Sequence, residues 1–190
     1  MSSAEPLRYL ARLEDYQQRA EALFRALESG NEEARWRFKW EHPRFRGKPV
    51  SDVDGAALGV ADARLVVARQ NGFETWADLA GFTEAVRHDS AVARFEEAVE
   101  AVISGDVAAL RAMLGESPEL ARARSNRRHR ATLLHYVGAN GVEGWRQKTP
   151  GNAVDVAKTL LDAGAEVDAL ADMYDATCTT MSVSRLRSRR

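Results

Sequence analysis

The chain has 190 residues, of which 45% are hydrophobic and 29% charged, and its formal net charge is −1. This length suffices for one or two domains with a substantial core. The near-neutral charge gives no overall attraction to nucleic acid or to acidic membranes. A single cysteine, Cys178, excludes an internal disulfide framework and a cysteine-rich metal site, and it favours a reducing compartment.

The sequence contains no segment typical of export or of membrane insertion. Residues 1–19 carry charge in every turn and lack the apolar core of a signal peptide. No run reaches the roughly 18 apolar residues that are needed to span a bilayer. We therefore expect a cytoplasmic protein that does not bind membranes.

Residues 1–89 predict a helical N-terminal domain. An amphipathic helix is expected over 3–29, because apolar residues recur there at three- and four-residue steps. A shorter helix is expected over 32–40 and ends before Pro43, since the residue preceding proline avoids the helical region. Two further helices are expected, one on either side of the Asn71-Gly72 stop. Six aromatic residues are expected in the core of this domain: Trp36, Phe38, Trp40, Phe45, Phe73 and Trp76.

From Ser90 onward the predicted helices are short and occur in pairs. One helix is expected over 91–104 and the next over 107–114, with Asp106 as a natural N-cap between them. The segment GDVAALRAMLG, which starts at Gly105, matches NAVDVAKTLLD at an offset of 47 residues. The preceding helices match at an offset of 36. An insert, residues 142–152, accounts for the difference.

The second helix pair carries a recognisable motif. Thr132-Leu133-Leu134-His135 is followed by Gly141 and then by Leu160-Leu161-Asp162-Ala163-Gly164-Ala165. The chain thereby resembles an ankyrin repeat protein, whose period is about 33 residues, although Leu133 stands where that family has proline. The sequences WRFKWEHPRFRG and DARLVVARQNGFETWADL resemble the helical leader that precedes the repeats in some bacterial members. The motif residues are Thr132, Leu134, His135, Gly141, Leu160, Leu161, Gly164 and Ala165.

The resemblance implies an all-α fold in which an N-terminal helical cap is followed by a short ankyrin solenoid. About two repeats are expected over 90–174, the second of them with the insert. It also implies that His135 bonds the backbone of the adjacent turn. A basic tail over 175–190 is expected to be disordered, because it combines low hydrophobicity with four arginines. A truncation or a shifted reading frame is one hypothesis for this end.

The function implied by the resemblance is non-catalytic protein binding, without a metal or a cofactor. A protein partner is expected across the hairpins and inner helices. The candidate contact residues are Arg124, Arg127, Arg128, Tyr136, Asn140 and Trp145.

The sequence leaves alternatives open for three features. The arginines between Arg122 and Arg130 suit a solvated loop or an acidic partner. Together with the arginine-rich tail they also suit nucleic acid or another polyanion, which is the least favoured because no aromatic residues interleave with them. Trp145 suits either a binding anchor or a side chain packed on the neighbouring helices. The last repeat lacks a following helix pair to cover its far face, with Val156, Leu160 and Leu161. That face is either capped by the tail, buried in a homodimer or exposed by truncation.

Overall fold

The computed structural model describes Tyr9 and residues 11–139, 141–173 and 176–179. Over these residues the chain is mostly helical, as predicted. It divides into two compact units, Met1–Glu84 and Ala85–Arg190. In the described part of the chain, no helix has the length and apolar character needed to cross a membrane.

The first unit contains a long helix, α1 (Leu13–Glu28), on which two of the other helices pack. Asn31 caps the next helix, α2 (Glu32–Glu41), by accepting a hydrogen bond from the Ala34 amide at 2.9 Å. Both α4 and α2 pack on α1. The helices are α1 Leu13–Glu28, α2 Glu32–Glu41, α3 Ser51–Asp54, α4 Val60–Gln70 and α5 Trp76–His88. The last four residues of α5 are assigned to the second unit.

The prediction that six aromatic residues form the core of this unit is wrong for two of them. Trp36 is 41% exposed and Trp40 is 72% exposed, and their rings stack at 6.2 Å between centroids. The buried face of α2 instead carries Ala34 and Phe38. Since α2 has one buried face, the two tryptophans, one turn apart, occupy the other.

The second unit contains two helix pairs that pack on each other. In it, α6 packs on both α7 and α8, while α9 packs on both α7 and α8. Each helix therefore contacts one helix of its own pair and one of the other pair. The elements are α6 Ser90–Ser104, α7 Val107–Glu116, α8 Leu133–Val137, α9 Ala153–Asp162, β1 Leu170–Met173 and β2 Ala176–Thr179.

Two glycines lie in tight turns that approach other parts of this unit closely. Gly105 and Gly141 have φ values of +76° and +79°, a region that favours glycine. A Cβ atom on Gly105 would clash with the Asn152 side chain, and one on Gly141 would clash with Met173. The Asn152 amide also donates a hydrogen bond to the Gly105 carbonyl at 2.8 Å. The Gly105 turn therefore lies against the residue that precedes α9, and the Gly141 turn lies against β1.

The end of the second unit differs from the predictions in two respects. Strands β1 and β2 pair antiparallel, with Leu170 opposite Thr179. Residues 176–179 are therefore not part of a disordered tail, and 180–190 lie outside the described residues. Val156 and Leu160 belong to the core of the unit, so of the three residues expected on the far face of the last repeat only Leu161 is exposed. The reason is that α7 and α8 both cover α9.

Candidate functional site

Four buried charged side chains form a network at the centre of the second unit. Glu96 lies on α6, Arg127 in the loop before α8, and Glu143 and Arg146 in the insert. Glu96 accepts hydrogen bonds from both arginines: its Oε1 lies 2.5 Å from Arg127 Nη1, and its Oε2 lies 2.6 Å from Arg146 Nη1. Glu143 pairs with the Nε atom of Arg127. Two carboxylates and two guanidiniums therefore balance one another away from water.

Polar groups at the edge of the network complete it. The half-exposed Glu100 accepts from Arg146 Nη2 at 2.7 Å and from its Nε at 3.1 Å. The Tyr136 hydroxyl donates to Glu143 at 3.4 Å, and His129 Nε2 lies 3.6 Å from the other Glu143 oxygen. That histidine nitrogen and that oxygen have no hydrogen-bond partner among the described residues.

Local sequence explains how these groups come together. Glu96 lies on the buried, apolar face of α6, beside Phe95 and about one turn before Val99. Residues Gly144–Arg146 form one turn of 3₁₀ helix, in which the Arg146 amide donates to the Glu143 carbonyl at 2.8 Å. Residues three apart in such a turn lie on the same side. Both charges of the insert therefore point into the network, Arg146 toward Glu96 and Glu143 toward Arg127.

The charged state of the network is set by pairing, which outweighs burial. Burial favours the neutral forms of these groups, but the guanidinium of Arg127 holds the pKa of Glu143 well below its usual range. Likewise, burial would lower the pKa of Arg127, yet the carboxylates of Glu143 and Glu96 raise it above its ordinary value. Burial and the charge of Glu143 raise the pKa of the Tyr136 hydroxyl, which stays protonated. The network therefore carries paired ions at neutral pH.

The expected partner-binding residues do not form one accessible surface. Arg127 and Tyr136 are buried, so neither lies on an exposed contact surface, and Arg127 does not lie in a solvated loop. The reason is that the carboxylates of Glu96 and Glu143 supply internal partners. Arg124 is half-buried and donates hydrogen bonds to two backbone carbonyls. Arg128 is exposed, and the predicted contact residue Asn140 lies outside the described residues.

Trp145 packs back onto the network. Its ring lies 4.5 Å from the guanidinium carbon of Arg146, which is a favourable cation–π distance. The side chain is half-buried, and its Nε1 is buried without a hydrogen-bond partner among the described residues. Of the two alternatives for this tryptophan, the structure has it packed inward with one edge still accessible.

The motif residues lie at helix ends or in the core. His135 Nδ1 is 2.9 Å from Thr132 Oγ1 and accepts from the Thr132 amide at 3.3 Å, which links it to the start of its own helix. Gly164 has a φ of +91°, and the Ala165 amide donates to the Leu160 carbonyl, which closes the end of α9. The motif therefore defines where these helices begin and end, and Leu134 contributes to the core.

Glu96 and Glu143 carry no motif, so sequence reasoning misses them. One indication was present: a carboxylate on the apolar face of α6 requires a buried cation. Across the part of the chain that the structure describes, no group of three or more His, Cys, Asp or Glu side chains is arranged to hold a metal ion. Comparisons with protein-family models, curated proteins and solved structures found no match to this chain.

Proposed function

We propose that this chain is a non-catalytic protein-binding module of the ankyrin-repeat type, acting in the cytoplasm. The observation that carries the proposal is the packing of the second unit, where α6 contacts α8 and α7 contacts α9. Equivalent helices of successive pairs contact each other in this way when repeats stack. The glycine turns after α6 and α8, with φ of +76° and +79°, support the same assignment.

Contacts between successive loops support it as well. The Asp172 amide donates to the His129 carbonyl at 2.7 Å, and so joins the loop before α8 to strand β1. Arg122 Nε donates to the Gly164 carbonyl at 3.0 Å. Such links hold the loops of successive repeats in the second unit side by side, which presents their exposed residues as one surface.

The insert is held by buried ion pairs at two points. Arg146 pairs with Glu96 on α6 and Glu143 pairs with Arg127 in the loop before α8, while Gln147, Lys148 and Thr149 are exposed directly after Arg146. Arg128 is exposed next to Arg127 in the neighbouring loop. A preorganised surface loses less conformational entropy on binding, so we propose Arg128 and Lys148 as contacts for carboxylates of a partner protein.

The geometry disfavours the alternative of polyanion binding through the Arg122–Arg130 run. Arg127 is neutralised by buried carboxylates, and Arg122 and Arg124 donate to backbone carbonyls. Counterion release requires several cations that face the phosphates together.

The test is quantitative binding with a purified partner. A protein captured from the native cell extract is purified, and its affinity for the full chain is measured by calorimetry. We expect 1:1 saturable binding that Arg128→Glu with Lys148→Glu weakens about tenfold or more, as expected when charge pairs become repulsive. The matched control is Glu116→Gln with Glu119→Gln, which changes two exposed charges elsewhere in the unit. Equal loss in both variants, or tighter binding to a nucleic-acid duplex than to any protein, would contradict the proposal.

A further inference from the structure

Two tryptophans of the first unit, Trp36 and Trp40, form an exposed aromatic surface that we call the indole platform. Their rings stack, with 6.2 Å between the centroids and 19° between the planes. Trp40 is 72% exposed and Trp36 is 41% exposed. Among the described residues of this unit, no other large hydrophobic side chain is exposed. The unit therefore concentrates its exposed apolar surface at one place, which is typical of an interaction site.

The indole platform is held in place by its helix and by a lysine. Trp36 and Trp40 are one turn apart on α2, whose buried face carries Ala34 and Phe38. Lys39 Nζ lies 4.8 Å from the centre of the Trp40 ring and donates a hydrogen bond to the Phe45 carbonyl at 3.2 Å. An ammonium at this distance is attracted to the indole ring, so the contact favours one orientation of Trp40 before any partner arrives.

The charges around the indole platform balance one another. Over residues 32–54, six arginines and lysines stand against five carboxylates. Glu33, which lies on the exposed side of α2, pairs with Arg37 at 2.6 Å. Arg35 pairs with Asp54 at 2.5 Å. The surroundings therefore select neither a polyanion nor a strongly basic segment, and the occupant must be recognised through uncharged contacts.

The size of the indole platform argues against a second copy of the chain. A tryptophan side chain buries roughly 150–250 Å², so the exposed parts of the two rings offer about 170–280 Å² in each chain. A symmetric contact between two such platforms would fall well below the roughly 1,200 Å² of a stable interface. The area suits a short linear segment instead.

Among short segments, a polyproline II helix fits the indole platform best. An amphipathic α-helix needs an apolar groove, whereas these two side chains stand out from the surface of a helix. Proline-rich segments dock on aromatic side chains, and their preformed shape keeps the entropic cost low. The 6.2 Å between the ring centroids equals two residue steps of about 3.1 Å in this conformation. The unpaired carbonyls of the segment can also accept hydrogen bonds from indole N–H groups.

We propose that the indole platform binds a proline-rich segment of a partner protein in the polyproline II conformation. Proline rings would stack on Trp36 and Trp40, and no charge pair would be needed. The residues belong to the first unit, and they differ from the charged contacts Arg128 and Lys148 of the second. This surface therefore goes beyond the proposed function, and the two can succeed or fail separately.

Three synthetic probes test the proposal on the full chain. The first is a capped peptide of six prolines, and the second is a capped peptide of six alanines. The third is a single-stranded oligonucleotide of ten thymidines, because bases also stack on exposed aromatic rings. Binding is followed by NMR through the indole N–H signals, of which the chain has four. Each signal is assigned by a single substitution of tryptophan by phenylalanine.

We expect the proline peptide to shift the signals of Trp36 and Trp40 in a saturable way and to leave those of Trp76 and Trp145 unchanged. Its affinity should exceed that of the alanine peptide at least about tenfold, because only the proline peptide is preorganised. Added salt should change the affinity little, since no ion pair is formed.

Substitutions then locate the binding. Trp40→Ala is expected to weaken binding of the proline peptide about tenfold or more, as truncation of a central aromatic contact does. Trp40→Tyr keeps an aromatic ring and should retain most of the affinity. The control Arg25→Ala removes a large exposed side chain from α1 and should have no effect. Circular dichroism verifies that each variant is folded.

Four outcomes would overturn the proposal. They are equal binding of the alanine peptide, unchanged Trp36 and Trp40 signals at saturating proline peptide, and tighter binding of the oligonucleotide, which would assign the platform to single-stranded nucleic acid. The fourth is a concentration-dependent dimer in sedimentation that Trp40→Ala dissociates, which would assign the platform to a second copy of the chain.

Discussion

Arg146 Nη1 lies 2.6 Å from Glu96 Oε2, and both side chains are buried. The two residues are 50 positions apart in the chain. Arg146 belongs to the insert and Glu96 to the first helix of the unit, so this ion pair joins an irregular segment to the regular core. A buried ion pair contributes little net stability relative to a well-packed apolar pair, but either ion alone is costly.

We expect Arg146→Met to lower the free energy of unfolding of the second unit by about 3–5 kcal/mol, because it leaves Glu96 without one of its two cations. Unfolding is followed in urea by the fluorescence of Trp145, in a background where the other three tryptophans are phenylalanine. The matched control, Lys148→Met, removes an exposed cation from the same insert and should change stability by no more than about 0.5 kcal/mol.

Coupling provides a further check on the same pair. The double substitution Glu96→Leu with Arg146→Met should lower the free energy of unfolding by less than the sum of the two single substitutions. Each single substitution leaves one charge of the pair buried without its partner, whereas the double substitution removes both charges. Strictly additive losses would contradict a direct interaction between Glu96 and Arg146.

Lowering the pH should reduce the stability of the second unit, because Glu143 must then be protonated. Its pKa in the folded protein lies below its ordinary value of 4.5, so the unfolded chain binds the proton first. The resulting stabilisation is complete above that ordinary value and is lost as the pH falls below it, by up to about 1.4 kcal/mol per pH unit. In Glu143→Gln this loss is absent, so the stability difference between the two proteins should narrow from pH 7 to pH 3. A difference that stays constant over that interval would contradict the assigned charge state.

Substitution by alanine should change the free energy of unfolding in opposite directions at Gly105 and at Gly115. Gly105 has a φ of +76° and faces the Asn152 side chain, so Gly105→Ala is expected to cost about 1–2 kcal/mol or more. Gly115 lies within α7 with open space around it, so Gly115→Ala should stabilise by about 0.5–1 kcal/mol. Urea denaturation measures both. Stabilisation by Gly105→Ala would show that the tight turn is not required.

The sequence predicts the first helix pair of the second unit well, although it does not predict strands β1 and β2. The expected helices over 91–104 and 107–114 correspond to α6 and α7, because Gly105 and Asp106 are unambiguous local signals. The same kind of reasoning fails at α2, where Trp36 and Trp40 are exposed. Hydrophobicity predicts burial only on average, and nothing local tells which face of a short helix will meet the core.

The candidate site is harder to predict, because its charges come from distant positions. Arg127 looks like one member of a solvated arginine run, and its contacts with Glu96, 31 residues away, and with Glu143 in the insert place it in the core. The insert likewise gives no periodicity from which the direction of Glu143 can be inferred. Long-range pairing of this kind is visible only once the helices are packed.

The last prediction concerns the start of α8, where Thr132 Oγ1 lies 2.9 Å from His135 Nδ1 in a buried setting. Thr132→Val keeps the shape of the side chain and removes the hydroxyl, so we expect a loss of about 0.5–1.5 kcal/mol in the free energy of unfolding. Thr149→Val, at an exposed position of the insert, is the control and should be nearly neutral. The change at α8 should also speed hydrogen exchange of the amides in Leu133–Val137, measured by mass spectrometry. If the two substitutions had equal effects, the hydroxyl of Thr132 would have no specific role in fixing the start of this helix.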